Sequence, residues 1–179
     1  MDTKTQIQEK LSHLVYRSAE PEEYILMLEL LKEAAVWLKA KGIDYWQNWL
    51  DPPQGHRQWV KKSFEHREGY FVFAETQLVA GFRLQWEDKM FWGDTPGSAG
   101  YVHSLTTRRC YKGYYLGSRI LSWIETQCLQ KDREYLRLDY GAKCQFLAKY
   151  YSSYGFVPAG EITVGGERLL RMQKKLSNL

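Results

Sequence analysis

The sequence predicts an α+β fold in which helices cover both faces of one twisted, mostly antiparallel sheet. Two patterns support this prediction: apolar residues recur at helical spacing in several segments, and short β-rich runs alternate with them in the order β-α-α-β-β-β-α-β-α-β-β. The 179 residues, 44% hydrophobic and 26% charged, can bury one substantial core. We therefore expect a single domain over residues 1–179.

The amino-terminal third supplies one strand and two helices. Residues 13–18 form a short β-rich run, and Pro21 then opens a segment whose first residues are acidic. Proline suits the first helical turn, and acids stabilise its positive end, so the helical spacing over 24–38 predicts a helix ending before Gly42. A second helix is predicted over 56–66.

The middle of the chain predicts a central hairpin. Runs 69–74 and 78–84 are rich in β-branched and aromatic residues, and only three polar residues join them. Residues 86–97 mix acids with aromatics and end in a turn sequence, so we expect an elaborated loop there. Another strand is predicted over 99–106.

The carboxyl-terminal third repeats the strand-helix alternation. Helical spacing predicts a helix from 116 to 128, and clean alternation over 135–140 predicts a half-buried strand. Aromatic residues over 146–154 predict a further helix, which Gly155 ends. The remaining residues suggest a closing hairpin.

Composition narrows the classes of function. No apolar run approaches the roughly 20 residues that a bilayer requires, and the polar start lacks the apolar core of a signal peptide, so we expect a cytoplasmic protein without a membrane partner. The three cysteines, Cys110, Cys128 and Cys144, lack CxxC spacing and predict reduced thiols. The net charge of +4 is modest and its 25 cations are dispersed, which argues against a nucleic-acid partner.

One loop has the composition of a phosphate site. In RCYKGYYLGSRIL, residues 109–121, Gly113 and Gly117 let backbone come close to a ligand at a strand-to-helix junction. Neighbouring cations can pair with phosphate oxygens: Arg108, Arg109, Lys112 and Arg119. By itself this stretch fits equally well an ordinary turn with solvated cations.

Two ordered motifs resemble those of the GNAT superfamily of acyl-CoA-dependent N-acyltransferases. Residues 102–105, VHSL, followed by 112–117, KGYYLG, match its V-x-x-L strand and its (Gln/Arg)-x-x-Gly-x-(Gly/Ala) loop. Residues 136–139, LRLD, and 151–157, YSSYGFV, resemble the later strand and the Tyr-x-x-x-Gly-Phe ending of the family. The resemblance extends over roughly residues 70 to 175.

The resemblance implies a GNAT-like fold with about six to seven strands flanked by about four helices, and acetyl-CoA as co-substrate without a metal. The cofactor would lie between two splayed strands, with its pantetheine arm against the strand backbone and its pyrophosphate on the loop. The residues implied in acetyl-CoA binding are Leu105, Thr106, Thr107, Lys112, Gly113, Tyr114, Tyr115, Leu116, Gly117 and Ser118.

The chain departs from the family pattern at three positions. Lys112 replaces the usual Gln or Arg, Tyr115 the first motif glycine, and Cys144 an asparagine. Lysine still offers a point charge to phosphate, whereas the Tyr115 ring could crowd the pyrophosphate. An alternative function, a non-catalytic acyl-CoA-binding regulatory module, rests on these departures.

The resemblance also implies direct transfer of the acetyl group to a primary amine, with one acid and one base. Tyr151 stands at the family's tyrosine position and would protonate the leaving thiolate, although the rings at 150, 151 and 154 also fit a core. His103 has a suitable unperturbed pKa for the base, and a structural role is its alternative.

The acceptor is expected to be a small molecule held against aromatic side chains. Tyr45, Trp46, Trp49 and the segment 86–92 would form its wall. Acids at 87, 88 and 94 could bind a cationic acceptor or simply be solvated. Asp139 is expected to be a structural partner of a neighbouring cation, and the protein a monomer or homodimer.

Overall fold

One seven-stranded sheet organises the chain in a computed structural model that describes residues 3–177. Its spatial order is β1-β2-β3-β4-β5-β7-β6. The strands are β1 Leu14–Ser18, β2 Gly69–Ala74, β3 Gln77–Gln85, β4 Ala99–Thr107, β5 Tyr135–Gly141, β6 Val157–Val164 and β7 Glu167–Lys175. Every neighbouring pair is antiparallel except β4 and β5, which are parallel. The predicted α+β class and strand number are confirmed.

Six α-helices accompany the sheet in the described residues. They are α1 Thr3–Lys10, α2 Tyr24–Ala40, α3 Gln54–Glu65, α4 Lys89–Trp92, α5 Leu116–Gln130 and α6 Gln145–Ser152. Helices α2, α3, α5 and α6 stand where the apolar spacing predicts them. Helix α1 was not predicted, because its polar sequence has almost no apolar periodicity. Helix α4 is one turn within the segment expected to be a loop.

The helices cover both faces of the sheet, as predicted. On β2, consecutive residues point to opposite faces: Phe71 packs with α2 and α3, whereas Val72 belongs to the core under α5. Helix α2 contributes Met27 and Leu31, and α5 contributes Ile120 and Ile124, all fully buried. Each long helix therefore buries one apolar stripe against its own side of the sheet.

The parallel contact at the centre of the sheet forms over only part of its length. Residues 99–102 of β4 pair with 135–138 of β5, and beyond Val102 and Leu138 the two strands separate. Beyond this point, the described residues of β4 pair with β3 but not with β5. The separation leaves a wedge-shaped opening in the middle of the sheet. In the described part of the chain, no helix is long and apolar enough to cross a membrane.

Candidate active site

A cavity of about 460 Å³ lies at the separation of β4 and β5. Strand β4 lines one side of it from Ser104 to Thr107, and β5 lines the other from Leu138 to Tyr140. The carboxyl ends of parallel strands are where open sheets commonly bind ligands, because no further backbone pairing fills the space there. Fold topology alone therefore places the cavity at the motifs that the sequence singled out.

A bulge in β4 shapes this side of the cavity. The β3–β4 register shifts between Gly81 and Arg83, so that two residues of β4, Ser104 and Leu105, face one residue of β3. Ser104 has a positive φ of 56°, which is unusual for a residue other than glycine. The bulge interrupts the ladder where β4 meets the cavity, and this is the strand against which the resemblance places the pantetheine arm.

The loop before α5 presents unpaired backbone N–H groups. The first backbone bond donated back from α5 runs from Arg119 N to Tyr115 O, 3.2 Å. In the described part of the chain, the N–H groups of Leu116, Gly117 and Ser118 have no backbone acceptor. A helix start of this kind binds anions, because its N–H groups and its dipole both favour negative charge. The loop has the donors that a pyrophosphate needs.

The cations around this loop have different tasks. Lys112 and Arg109 line the cavity, and the Arg109 guanidinium lies 4.2 Å from the centre of the Trp37 ring. Arg108 instead donates to Glu33 Oε2 at 2.9 Å, while Glu33 Oε1 accepts from the Arg109 N–H at 2.7 Å. Glu33 of α2 thus clamps the start of the loop, and Lys112 and Arg109 are the loop cations placed to meet a ligand.

Most of the cofactor residues implied by the resemblance come together at the cavity. Those that line it are Leu105, Thr106, Thr107, Lys112, Gly113, Tyr115, Leu116 and Gly117. Tyr114 lines instead a second cleft of about 680 Å³ between α1 and the loop, together with Lys112 and Arg119. Ser118 lines neither, and its hydroxyl donates to Tyr115 O at 2.7 Å, within the first turn of α5.

Tyr115 adopts the conformation of the glycine that it replaces. Its φ and ψ are 57° and 26°, in the left-handed region, and its side chain is directed outward, since the residue is 76% exposed. Tyr115 lines both the cavity and the second cleft. The positive φ that this position needs is therefore met by a residue other than glycine.

Gly117 is required by a side chain of α6. A Cβ atom built at Gly117 would lie 2.2 Å from the Tyr150 hydroxyl oxygen, much closer than any real contact. Tyr150 lines the cavity beside Tyr151, and the two rings meet edge to face with centroids 5.3 Å apart. The phenol of Tyr150 therefore stands directly beside the first turn of α5.

Tyr151 reaches the cavity from a buried position. Its ring packs against Tyr140 and Phe156, and only 9% of the residue is exposed. Burial, with help from the neighbouring Tyr150 and Asp139, raises the pKa of Tyr151 well above its ordinary value. The phenol keeps its proton at neutral pH and can donate it.

The cavity wall is aromatic, but it is built differently from the predicted one. Tyr45 and Trp46 line it as expected, and so do Trp37 and Phe146. The other predicted wall residues lie elsewhere: Trp49 packs in the core between α2 and α3, and Trp92 in a small cluster with Tyr101. Trp37 was missed because in the sequence it reads as one more apolar position of a helix.

Cys144 also lines the cavity, where burial raises the pKa of its thiol to about 11. At neutral pH it is therefore a protonated thiol and a weak nucleophile. This agrees with direct transfer, for which no acyl carrier on the protein is needed.

His103 does not line the cavity; it lies behind it in a buried polar cluster. Its Nε2 is 2.8 Å from Asp88 Oδ2, and its Nδ1 is 3.7 Å from Asp139 Oδ2. Nearby, the fully buried Arg83 lies over the Trp59 ring at 3.6 Å and donates to the Ser104 hydroxyl at 3.2 Å. Burial lowers the pKa of Arg83 to about 10, so that it still carries its charge at neutral pH.

The donor atoms of Asp88, His103 and Asp139 lie within 4.8 Å of one another. Bond lengths of about 2.0 Å would place donors in a tetrahedral zinc site about 3.3 Å apart. The 2.8 Å separation of His103 and Asp88 is instead a hydrogen-bond distance, and the second ring nitrogen faces Asp139. The cluster has the geometry of a buried polar network in which His103 and Asp88 are hydrogen-bonded.

The acids of this cluster were not expected from the sequence. Asp88 was expected in a solvated or acceptor-binding loop, yet it is 8% exposed and caps α4 by accepting from the Phe91 N–H at 3.1 Å. Asp139 was expected to pair with a cation, yet it lines the cavity. Its place at the carboxyl end of a strand parallel to β4 was the available signal.

Comparison with known proteins gives a consistent result. No protein-family model matches the chain. It is 28% identical over 148 residues to the uncharacterized N-acetyltransferase YesJ of Bacillus subtilis, which covers 79% of this chain and 78% of YesJ.

Solved structures of GNAT proteins share the fold. A GNAT-family acetyltransferase from Listeria monocytogenes superimposes with a TM-score of 0.72 at 24% identity, covering 91% of this chain and 95% of that one. The PaiA N-acetyltransferase of Thermoplasma acidophilum, solved with coenzyme A, gives 0.69 at 17% identity, with 91% and 99% covered. These superpositions show that the chain has the fold of GNAT-family acetyltransferases, and the sequence relative that it resembles is named as an N-acetyltransferase.

Proposed function

We propose that the protein transfers the acetyl group of acetyl-CoA directly to a primary amine of a small molecule, in the cavity between β4 and β5. The observation that carries this proposal is the joint lining of one cavity by the bulged end of β4, the unpaired start of α5 and Tyr151. These features supply, in order, a place for the thioester, donors for the pyrophosphate and an acid for the leaving group.

The donor side fits coenzyme A in chemistry and shape. The backbone of Leu105 to Thr107 would pair with the pantetheine arm, and the N–H groups at the start of α5 would receive the pyrophosphate, next to Lys112. The second cleft, with Lys112 and Arg119, offers cationic lining for the phosphate group of coenzyme A that is not part of the pyrophosphate. When bound, acetyl-CoA supplies the activated acyl group, and the protein positions it.

The acceptor side favours a compact molecule. Trp37, Tyr45, Trp46 and Phe146 also line the cavity, with rings that can pack on an alkyl chain or a cation. Tyr151, neutral because of burial, would donate its proton to the departing thiolate. An enclosed aromatic wall suits a small amine better than a protein segment.

The first test is thermal unfolding with and without acetyl-CoA. At about 100 times its dissociation constant, a ligand of the folded state adds roughly 2.7 kcal/mol, a clear rise in Tm. Lys112→Ala should weaken this rise, whereas Lys131→Ala, a cation on the far end of α5, should not. Absence of any rise at millimolar acetyl-CoA would contradict the proposed donor site.

The second test is turnover. Release of the CoA thiol is followed with agmatine, spermidine and a lysine-containing peptide as acceptors, and the acetylated product is identified by mass spectrometry. Turnover of a small amine in preference to the peptide is the expected result. Acetyl-CoA binding without turnover of any amine would favour the non-catalytic acyl-CoA-binding module.

A further inference from the structure

Asp139 stands at the point where the central strands part. Its neighbour Leu138 makes the last β4–β5 pair with Val102, so Asp139 and His103 are the first residues beyond the pairing on their strands. The Asp139 side chain lines the cavity although only 9% of it is exposed. Within the described residues, its buried Oδ2 has no hydrogen-bond partner. A buried acceptor without a donor is costly unless a ligand or a proton occupies it.

The side chain behind Asp139 can take up a proton. Asp88 is held as acceptor of the Phe91 N–H, and the same carboxylate lies 2.8 Å from His103 Nε2. An acceptor at that distance fixes the tautomer in which Nε2 carries the hydrogen. Nδ1 of the neutral ring then turns its lone pair toward Asp139 Oδ2, 3.7 Å away. If these two side chains moved slightly closer together, a protonated Asp139 would donate a hydrogen bond to His103 Nδ1.

Several charged groups surround the Asp139 carboxyl. They include His103, Asp88, Arg83 of β3 and Arg171 of β7, the last being the register partner of Asp139. The phenols of Tyr45, in the loop after α2, and Tyr151, on α6, also lie close enough to interact with its charge. Burial outweighs the cations and raises the pKa of Asp139 above its ordinary value. A raised pKa brings a carboxyl closer to the basicity that a general base needs.

We propose that Asp139 is the catalytic base of this cavity and that His103, held by Asp88, is a positioning residue that receives the proton from Asp139. The inference rests on the proposed acetyl transfer. It reverses the expected roles of two residues, since His103 had been expected to act on the amine itself. His103 has no direct access to the amine, because it does not line the cavity.

The protons balance in two steps. The acceptor enters as an ammonium ion; one N–H proton passes to Asp139 Oδ2, and the neutral amine attacks the thioester carbonyl carbon. When the C–S bond breaks, Tyr151 donates its proton to the leaving thiolate. The nitrogen of the new amide loses its second proton, and Tyr151 accepts that proton in return. The proton on Asp139 moves to His103 Nδ1, giving an imidazolium ion between two carboxylates, and returns to solvent after the product leaves.

The kinetic test compares Asp139→Asn with Asp139→Glu and with Asp94→Asn, an exposed acid of the loop before β4. With agmatine or spermidine as acceptor, Asp139→Asn should lower kcat by about 100-fold or more with little change in KM. Asp139→Glu should recover part of the loss, and Asp94→Asn should behave as wild type. All variants should keep the Tm rise with acetyl-CoA. Loss of that rise in a variant would mean that its donor site is damaged, and the lower kcat could then not be assigned to Asp139.

Two kinetic results would overturn the inference. A higher KM at unchanged kcat would mean that Asp139 only binds the cationic acceptor. Loss of wild-type turnover after EDTA treatment, with recovery in zinc, would assign the cluster to a metal ion.

His103→Gln tests the positioning role through the pH profile. Once His103 holds the proton, its charge favours the ionised form of Asp139, so replacing it with glutamine should raise the pKa of Asp139 further. The acidic limb of kcat/KM, which rises as Asp139 loses its proton, should move to higher pH. An acidic limb at the same pH in His103→Gln and wild type would contradict the link between the two residues.

A third readout needs no acceptor. Because the pKa of Asp139 is raised in the folded state, its contribution to stability is complete below the unfolded pKa and is lost as pH rises through the folded one. Asp139→Asn should therefore be more stable than wild type at neutral pH, with a difference that disappears in acid. In parallel, the 13C resonance of the Asp139 carboxyl should titrate at higher pH in His103→Gln. Equal titration in both proteins would overturn the inference even if no acceptor were found.

Discussion

The loop that enters α5 and the polar cluster behind β4 and β5 flank the same cavity, yet they are built on opposite principles. The loop offers backbone groups and flexible cations near the surface, with Lys112 and Tyr115 exposed. The cluster buries its charges: Arg83, Asp88 and His103 are each less than 10% exposed. We therefore expect the first side to tolerate changes of side chain, and the second to depend on the identity of each one.

This difference follows from the energetics of the two environments. An exposed ion pair or cation contributes about 1 kcal/mol or less, since water replaces what is lost. A buried polar group that loses its partner costs about 1–3 kcal/mol, because no water can take the partner's place. Binding surfaces can therefore be built from the loop, whereas groups with altered proton affinity require the buried cluster.

The largest expected effect is on the buried side. Asp88→Ala removes the acceptor of His103 and the cap of α4, and we expect it to lower the free energy of unfolding by about 3 kcal/mol. Urea denaturation measures this loss. Asp94→Ala removes an exposed acid of the same loop and should change stability by less than about 0.5 kcal/mol. Equal losses in the free energy of unfolding for Asp88→Ala and Asp94→Ala would contradict the proposed difference between buried and exposed charges.

A smaller effect is expected where the loop meets α6. Gly117→Ala places a methyl group against the Tyr150 hydroxyl and should cost about 1–2 kcal/mol through overpacking. In Gly117→Ala/Tyr150→Phe the nearest ring atom would be 3.4 Å away, an ordinary contact. Thermal unfolding should show that the second substitution removes most of the loss. A double variant as unstable as the single one would mean that Gly117 is needed by the backbone instead.

The smallest effect is expected on the exposed side of the loop. Tyr115→Gly places glycine at a left-handed position and should stabilise the protein relative to Tyr115→Ala by about 1 kcal/mol, since both variants lack the ring. The difference between the Tm values of the two variants therefore reports the cost of the left-handed backbone conformation at residue 115. If Tyr115→Ala is the more stable variant, the left-handed conformation at residue 115 carries no strain.

The sequence predicted what depends on local pattern. The strands, helices α2, α3, α5 and α6, and the loop at 112–117 all follow from spacing and turn residues, and Tyr151 follows from a short motif at fixed order. That Tyr151, His103 and the loop residues act as proposed stays a prediction. The extent of the domain, 1–179, also stays a prediction.

What the sequence did not reveal depends on residues far apart in the chain. Asp88 and His103 are separated by 15 positions, and Asp139 stands on another strand. No local pattern indicates that the loop acid folds inward, because its burial is decided by the path of residues 86–98 over the strand ends. Trp37, on α2, and Tyr45, in the loop after it, likewise line the cavity beside residues that are far away in the chain.

The clamp made by Glu33 has a consequence for how the two substrates would bind. Glu33 joins the donor loop to α2, and one turn later the same helix presents Trp37 to the cavity, where its ring lies against Arg109 of that loop. Acetyl-CoA that fixed the loop would thereby also fix part of the cavity wall. By linkage, each substrate would then change the affinity for the other by the same factor. The coupling between the two substrates would run through a single carboxylate that does not itself line the cavity.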